Sequence, residues 1–155
     1  MSFEAVETFL TEAGYGSRIK VFTRSSATVA EAAEAIGCQS AQIAKTLSFL
    51  VAGQPLLVVT AGDVRIHNPK FKAAFKKRGR MIPAAEVEER IGHAPGGVCP
   101  FAVKAGVPIY LDESLKQFEV VYPAAGSDHS AVELSPQELA ELAQPVGWVD
   151  LGKEV

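Results

Sequence analysis

Two apolar runs separated by a four-residue turn narrow the fold of this chain more than any other feature. "TLSFLV" (Thr46–Val51) and "LLVVT" (Leu56–Thr60) flank "AGQP". Each run is too short for an ordinary helix and is bounded by turn residues. The pattern therefore predicts a β-hairpin in a sheet with at least one buried face. Side chains alternate along an extended strand, so Lys45, at the mouth of the first run, shares a face with Leu47, Phe49 and Val51. A lysine there either leads its charge out along apolar surface or is held for a purpose.

Helical and extended segments surround the hairpin. Phe3, Val6, Phe9 and Leu10 recur at helical spacing behind Ser2 as a cap, and Gly14 and Gly16 close that helix. "RIKVF" (Arg18–Phe22) reads as a short strand. Thr28 and Glu31 form a capping box for a helix that Gly37 stops. Asn68 as cap and Pro69 at the first helical position predict a third helix to about Arg78, ended by Gly79. "PAAEVEERIG" (Pro83–Gly92) reads as a short acidic helix, and "HAPGGVCPF" (His93–Phe101) as a tight loop. "VPIYLD", "FEVVYP" and "AVEL" read as strands. Ser135, Pro136 and Glu138 mark a last helix start. With no repeat or linker, the 155 residues suit a single α+β domain, residues 1–155, with a mixed sheet.

Composition removes several function classes. No apolar stretch approaches the ~20 residues of a membrane helix, and the acidic N-terminus has no signal-peptide pattern, so a soluble cytoplasmic protein is expected. Cys38 and Cys99 form no CxxC pair. His67, His93 and His129 are scattered, and no metal site is expected. A net charge of −3 argues against general coating of nucleic acid but leaves room for a local basic patch.

Three features could carry chemistry. Lys45 is one, and its alternative is a surface lysine at a strand end. The second is "GGVCP" (Gly96–Pro100), where paired glycines let backbone approach a ligand and free N–H groups could hold a carbonyl or oxyanion. It could equally be a plain connecting loop. Cys99 within it is a thiol nucleophile only if a base such as His93 or His129 comes close, and otherwise a small core residue. The third is "NPKFKAAFKKRGR" (Asn68–Arg80), an amphipathic segment whose Lys70, Lys72, Lys76 and Lys77 could meet a phosphate backbone or form a solvated face.

In the same order along the chain, "IAKTLSF", "EVEERIGHAPGGVCPF", "VPIYLDESL" and "VELSPQEL" together resemble the YbaK/prolyl-tRNA synthetase-associated editing domain family, from about Thr28 to Leu142. The resemblance implies a single α+β domain around a curved, barrel-like mixed sheet with surrounding helices. It implies a free-standing aminoacyl-tRNA deacylase that hydrolyses the ester of mischarged tRNA, with tRNA(Pro) carrying Ala or Cys, or Ser or Thr, as substrate. It implies no cofactor.

On the resemblance, Lys45 is the key lysine, and Gly96 and Gly97 belong to the family's GxxxP loop as the other catalytic positions. Thr46, Val98, Cys99, Pro100 and His129 are the implied substrate-binding residues; from the basic segment itself, Lys70, Lys72, Lys76 and Lys77 are the expected contacts for the acceptor end of the tRNA. The implied partners are the aminoacylated acceptor end of tRNA and, transiently, prolyl-tRNA synthetase; separately, no membrane association and a monomer are expected. Two positions depart from relatives: some alanine-specific members have Asn where this chain has Thr46, and cysteine editors often have Asp where it has Ala131. A small pocket would choose among Ala, Ser, Cys and Thr mainly by size, and one methylene is worth roughly 1–3 kcal/mol. Two other readings stay open: a non-catalytic tRNA-binding module, and a Cys99-dependent ester or thioester hydrolase.

Overall fold

The central hairpin is longer than its apolar runs, Ile43–Val51 paired antiparallel with Gln54–Ala61. In the computed structural model, which describes residues 2–153, the elements run α1 (Ser2–Glu12), β1 (Ile19–Val21), α2 (Val29–Ile36), β2 (Ile43–Val51), β3 (Gln54–Ala61), α3 (Asn68–Phe75), β4 (Arg80–Met81), α4 (Ala84–Ile91), β5 (Ile109–Asp112), β6 (Tyr122–Pro123), β7 (Ser130–Val132), α5 (Pro136–Ala143) and β8 (Gly147–Val149). This is the single-domain α+β architecture that the sequence predicts, with parallel and antiparallel pairings in one sheet. Among the described residues no helix is long and apolar enough to cross a membrane.

The hairpin runs apolar because the sheet is covered on both faces. Ala44, Leu50, Leu57 and Val59 point into the main core with Val6, Ile91, Phe101 and Leu139. The alternate residues Leu47, Phe49, Leu56 and Val58 point the other way, into a second core closed by Phe71 of α3. The Phe71 ring packs at a tilt against Phe49 and Phe75, with centroids 4.8 and 4.6 Å away. Burying one such ring contributes about 1.5–3 kcal/mol, enough to hold a short helix onto the sheet.

Strand β2 organises the site. One edge pairs with β3 from Ala44 to Val51. The other edge is shared: β6 pairs at Ile43 and Ala44, and β4 at Phe49 and Leu50. Between them, Lys45 to Leu47 has no strand partner on that edge, so the sheet is split there.

Some local expectations need correcting. Helix α3 stops at Phe75, where Lys76 takes a left-handed conformation (φ 67°), and does not reach Arg78. Gly79 explains the early turn, because it lies on the Phe71 ring so closely that a Cβ would sit 2.3 Å from ring carbons. The cap of α3 is His67 rather than Asn68 and makes no side-chain capping bond. Ser2 lies within α1 and donates its hydroxyl to the Gly126 carbonyl instead of capping. Of "FEVVYP" only Tyr122–Pro123 is strand. By contrast, the Thr28–Glu31 and Ser135–Glu138 capping boxes form as predicted.

Candidate active site

A cleft of about 270 Å³ opens at the split in the sheet. That size lies near the lower end for small-molecule sites. Its floor is β2, through Ile43 to Thr46 and Ser48. One wall is the segment before and into α2, from Ser26 to Val29. Met81 and Ile82 form a second wall, Pro95, Gly96 and Val98 a third, and Tyr122, Ala124 and Ser130 close the remaining side.

Each wall is fixed by local chemistry. The Thr28 hydroxyl accepts the Glu31 N–H at 3.1 Å, which seats the first turn of α2 against the cleft. Upstream, Phe22 and Ser26 donate backbone N–H groups to the His129 and Asp128 carbonyls at 2.7 and 2.6 Å. The Ser26 hydroxyl is buried without a partner, as is the Thr46 hydroxyl. An unmade buried hydrogen bond costs about 1–3 kcal/mol, and both residues line the cleft, with their hydroxyl oxygens closed off from solvent.

Lys45 lies on the cleft floor, half-buried, and its ammonium donates to the Val64 carbonyl. Burial pulls its pKa below the ordinary lysine value. The nearby Asp63 carboxylate opposes that shift and Arg65 adds to it. An ammonium has three donors, so the bond to Val64 leaves two for another group.

The glycine loop divides the labour of its N–H groups. The Gly97 N–H donates to the Ala94 carbonyl at 3.0 Å and closes a turn. Those of Gly96 and Val98, which line the cleft, have no partner among the described residues. Gly96 has φ +89°, which favours glycine. Gly97 has an ordinary φ but no room: a Cβ would lie 2.8 Å from the Gly126 carbonyl carbon and the Ser127 nitrogen. Gly126 in turn presses on the start of α1, where a Cβ would sit 2.8 Å from the Ser2 carbonyl oxygen.

The structure thus brings Lys45, Thr46, Gly96 and Val98 to one cleft and places the other expected residues elsewhere. Gly97 and His129 line a neighbouring cleft behind the loop, with Ser127 and Asp128. His129 Nδ1 pairs with the exposed Asp128 carboxylate at 3.0 Å. Pro100 is buried away from the cleft.

Cys99 lies fully buried in the main core, where loss of solvent pushes its thiol up to about 12. His93 does come within 3.6 Å of Cys99 Sγ, yet its Nε2 is held by the Phe101 carbonyl at 2.7 Å. Burial lowers the His93 pKa and keeps the ring neutral. A buried thiol that ionises only near pH 12 is no nucleophile at neutral pH, which removes the Cys99-dependent hydrolase reading. Lys70, Lys72, Lys76 and Lys77 are outside the cleft lining, and Lys70 is engaged with Asp150 and the Gly152 carbonyl.

Sequence reasoning missed Ser26, Ser48, Met81, Ile82 and Ser130 on the lining. Their signal is weak, because none is spaced with Lys45 or the glycine loop. Only the folded sheet brings them together.

Comparisons with known proteins point to one family. The aminoacyl-tRNA editing domain profile matches residues 23–142. A Bacillus subtilis relative described as the uncharacterized protein YwhH is 44% identical over 155 residues, covering 99% of both chains. Proline–tRNA ligase of Desulfovibrio desulfuricans is 28% identical across 85% of this chain, which spans only 22% of that enzyme. A crystal structure presented as a candidate trans-editing enzyme for prolyl tRNA synthetase superposes with a TM-score of 0.88 at 30% identity, covering 99% of this chain and 98% of the other.

Proposed function

Since the chain belongs to the aminoacyl-tRNA editing domain family and is an aminoacyl-tRNA hydrolase, we propose that it clears small non-cognate residues, Ala, Cys, Ser or Thr, from tRNA(Pro) in the cytoplasm. The observation that carries this reading is the small cleft in the split sheet. It brings onto one lining the half-buried Lys45, Ser26 and Thr46 with their unpartnered hydroxyls, and Gly96 and Val98, whose backbone N–H groups are unpaired among the described residues.

In this reading the aminoacyl group enters beside Thr46 and Ser26, whose hydroxyls take its polar atoms. Water adds to the ester carbonyl carbon. The carbonyl oxygen gains the negative charge and accepts from the Gly96 and Val98 N–H groups. The bond from that carbon to the ribose oxygen then breaks, and the ribose oxygen leaves with a proton. Lys45 uses its two remaining donors on the terminal nucleotide or on the developing charge. An aminoacyl ester is already activated, so positioning and charge stabilisation supply the catalysis without a protein nucleophile. Prolyl-tRNA synthetase, as the source of mischarged tRNA(Pro), is the partner this reading implies.

The test is to incubate the protein with tRNA(Pro) charged separately with Ala, Cys, Ser, Thr or Pro and follow loss of the ester. Rapid loss of one or more small non-cognate residues with Pro spared is expected. No loss of any of them, at protein concentrations that bind the tRNA, would leave a binding module in place of the enzyme on tRNA(Pro).

A further inference from the structure

Between Asp63 and Glu86 the chain has no acid and carries seven of its fifteen Lys and Arg residues. Six of the eight cations elsewhere are engaged: Arg18 pairs with Glu138, Arg24 with Glu34, Arg90 with Glu86 and Lys116 with Glu113, while Lys45 and Lys104 donate to the Val64 and Glu89 carbonyls. Lys72, Lys76, Lys77, Arg78 and Arg80 differ. All five are exposed, and none has an ion pair or side-chain hydrogen bond among the described residues. They occupy the end of α3, the turn after it and the first residue of β4. The turn is pinned by Gly79 against Phe71, so the charges stand on a fixed surface. The next residue, Met81, is 51% exposed and lines the cleft.

Five uncompensated cations in nine residues repel one another in a chain whose net charge is −3. An arrangement of this kind fits a polyanion of regular charge. Its continuity with the cleft through Met81 says which one. From these observations, and resting on the editing reading above, we infer that Lys72, Lys76, Lys77, Arg78 and Arg80 form a phosphate track that carries the acceptor arm of the RNA while its esterified end occupies the cleft. Lys70 is no part of the track, since Asp150 and the Gly152 carbonyl hold it. Arg78 and Arg80, which sequence reasoning left out, are. The apolar face of Met81 offers the terminal base a surface at the cleft mouth.

The track contributes binding made equally in the ground and transition states, so its loss raises KM and leaves kcat unchanged. The test uses the full chain with Lys72→Gln, Lys77→Gln, Arg78→Gln and Arg80→Gln combined. Lys76 is kept because it holds the left-handed turn. The probe is an uncharged RNA hairpin ending in single-stranded CCA, titrated at several salt concentrations. Removing one cation that neutralises a phosphate lowers the salt slope by about 0.9. The variant should therefore bind at least about tenfold more weakly at low salt, with a slope reduced by about 3–4. Lys104→Gln removes one charge outside the track and should leave both nearly unchanged.

A second arm compares hydrolysis of the full aminoacyl-tRNA with that of the same aminoacyl ester on adenosine alone. The track predicts a raised KM only for the full RNA. Wild-type affinity and slope in the variant would overturn the inference. So would equal loss on both esters, or a track that prefers anionic lipid vesicles to the hairpin. If the wild type cleaves no ester but the variant still loses hairpin binding, the track stands and the editing reading fails.

Discussion

Replacing Gly97 with Ala tests whether the loop beside the cleft is set by packing. The added Cβ would meet the Gly126 carbonyl carbon and Ser127 nitrogen at 2.8 Å and the Gly126 oxygen at 2.9 Å. Ordinary contact begins near 3.4 Å, so about 0.6 Å must be found between two backbone segments that have no rotamer to change. Overpacking of this kind costs roughly 1–3 kcal/mol. The displacement also moves the Gly96 and Val98 N–H groups, and a misplacement near 1 Å can cost about 10²-fold in rate. Urea unfolding should show the loss of stability, and single-turnover deacylation should show a fall in the chemical step. Gly147→Ala is the control, because a Cβ there meets nothing within 4 Å. A Gly97→Ala protein with wild-type stability and wild-type rate would refute the packing argument.

Other predictions follow from burial and charge. Cys99→Ala should lose about 1–2 kcal/mol of stability as a core truncation yet keep deacylation, and loss of activity in a folded Cys99→Ala protein would reinstate the thiol. Burial depresses the His93 pKa below its unfolded value near 6.5, so its contribution to stability is complete above that pH. It is lost as the pH falls toward the folded value. Denaturation midpoints should therefore drop as the pH falls below about 6.5, and His93→Gln should flatten that part of the profile. Burial also depresses the Lys45 pKa below its ordinary 10.5. If the ammonium is needed, enzymatic deacylation, after subtraction of spontaneous hydrolysis, should decline with rising pH before an ordinary lysine titrates. Lys45→Arg, charged throughout, should lack that decline in whatever activity it retains.

The hairpin, the two capping boxes and the glycine loop were legible because each is written in neighbouring residues. Thr28 and Glu31 are three apart, and the two apolar runs are joined by a short turn. Lys45 could be placed on a face by alternation alone, and that face proved to be the second core. What sequence could not show were distant juxtapositions. Nothing near Gly97 says that Gly126 will lie against it, so its glycine was read as freedom to approach a ligand when the immediate constraint is lack of space. The sequence leaves Cys99 as either a thiol beside a base or a small core residue, and the fold makes it the core residue although His93 does come close. The basic segment was visible as composition. Which of its cations would be tied up, as Lys70 is, depended on Asp150, eighty residues away. The split in β2 had no sequence signal, because it arises from where two-residue strands β4 and β6 happen to end.

At Ser2, Gly126 and Gly97 three stretches of main chain lie in series, with only the short Ser2 hydroxyl and the Val6 side chain packed beside Gly126. Long side chains act as springs in a protein, since a rotamer change can absorb a displacement. This stack holds few such springs. A movement of the first turn of α1 would reach the cleft loop through Gly126. The stiffness that fixes the Gly96 and Val98 donors thus also makes them answerable to a helix that lies outside the matched editing-domain residues.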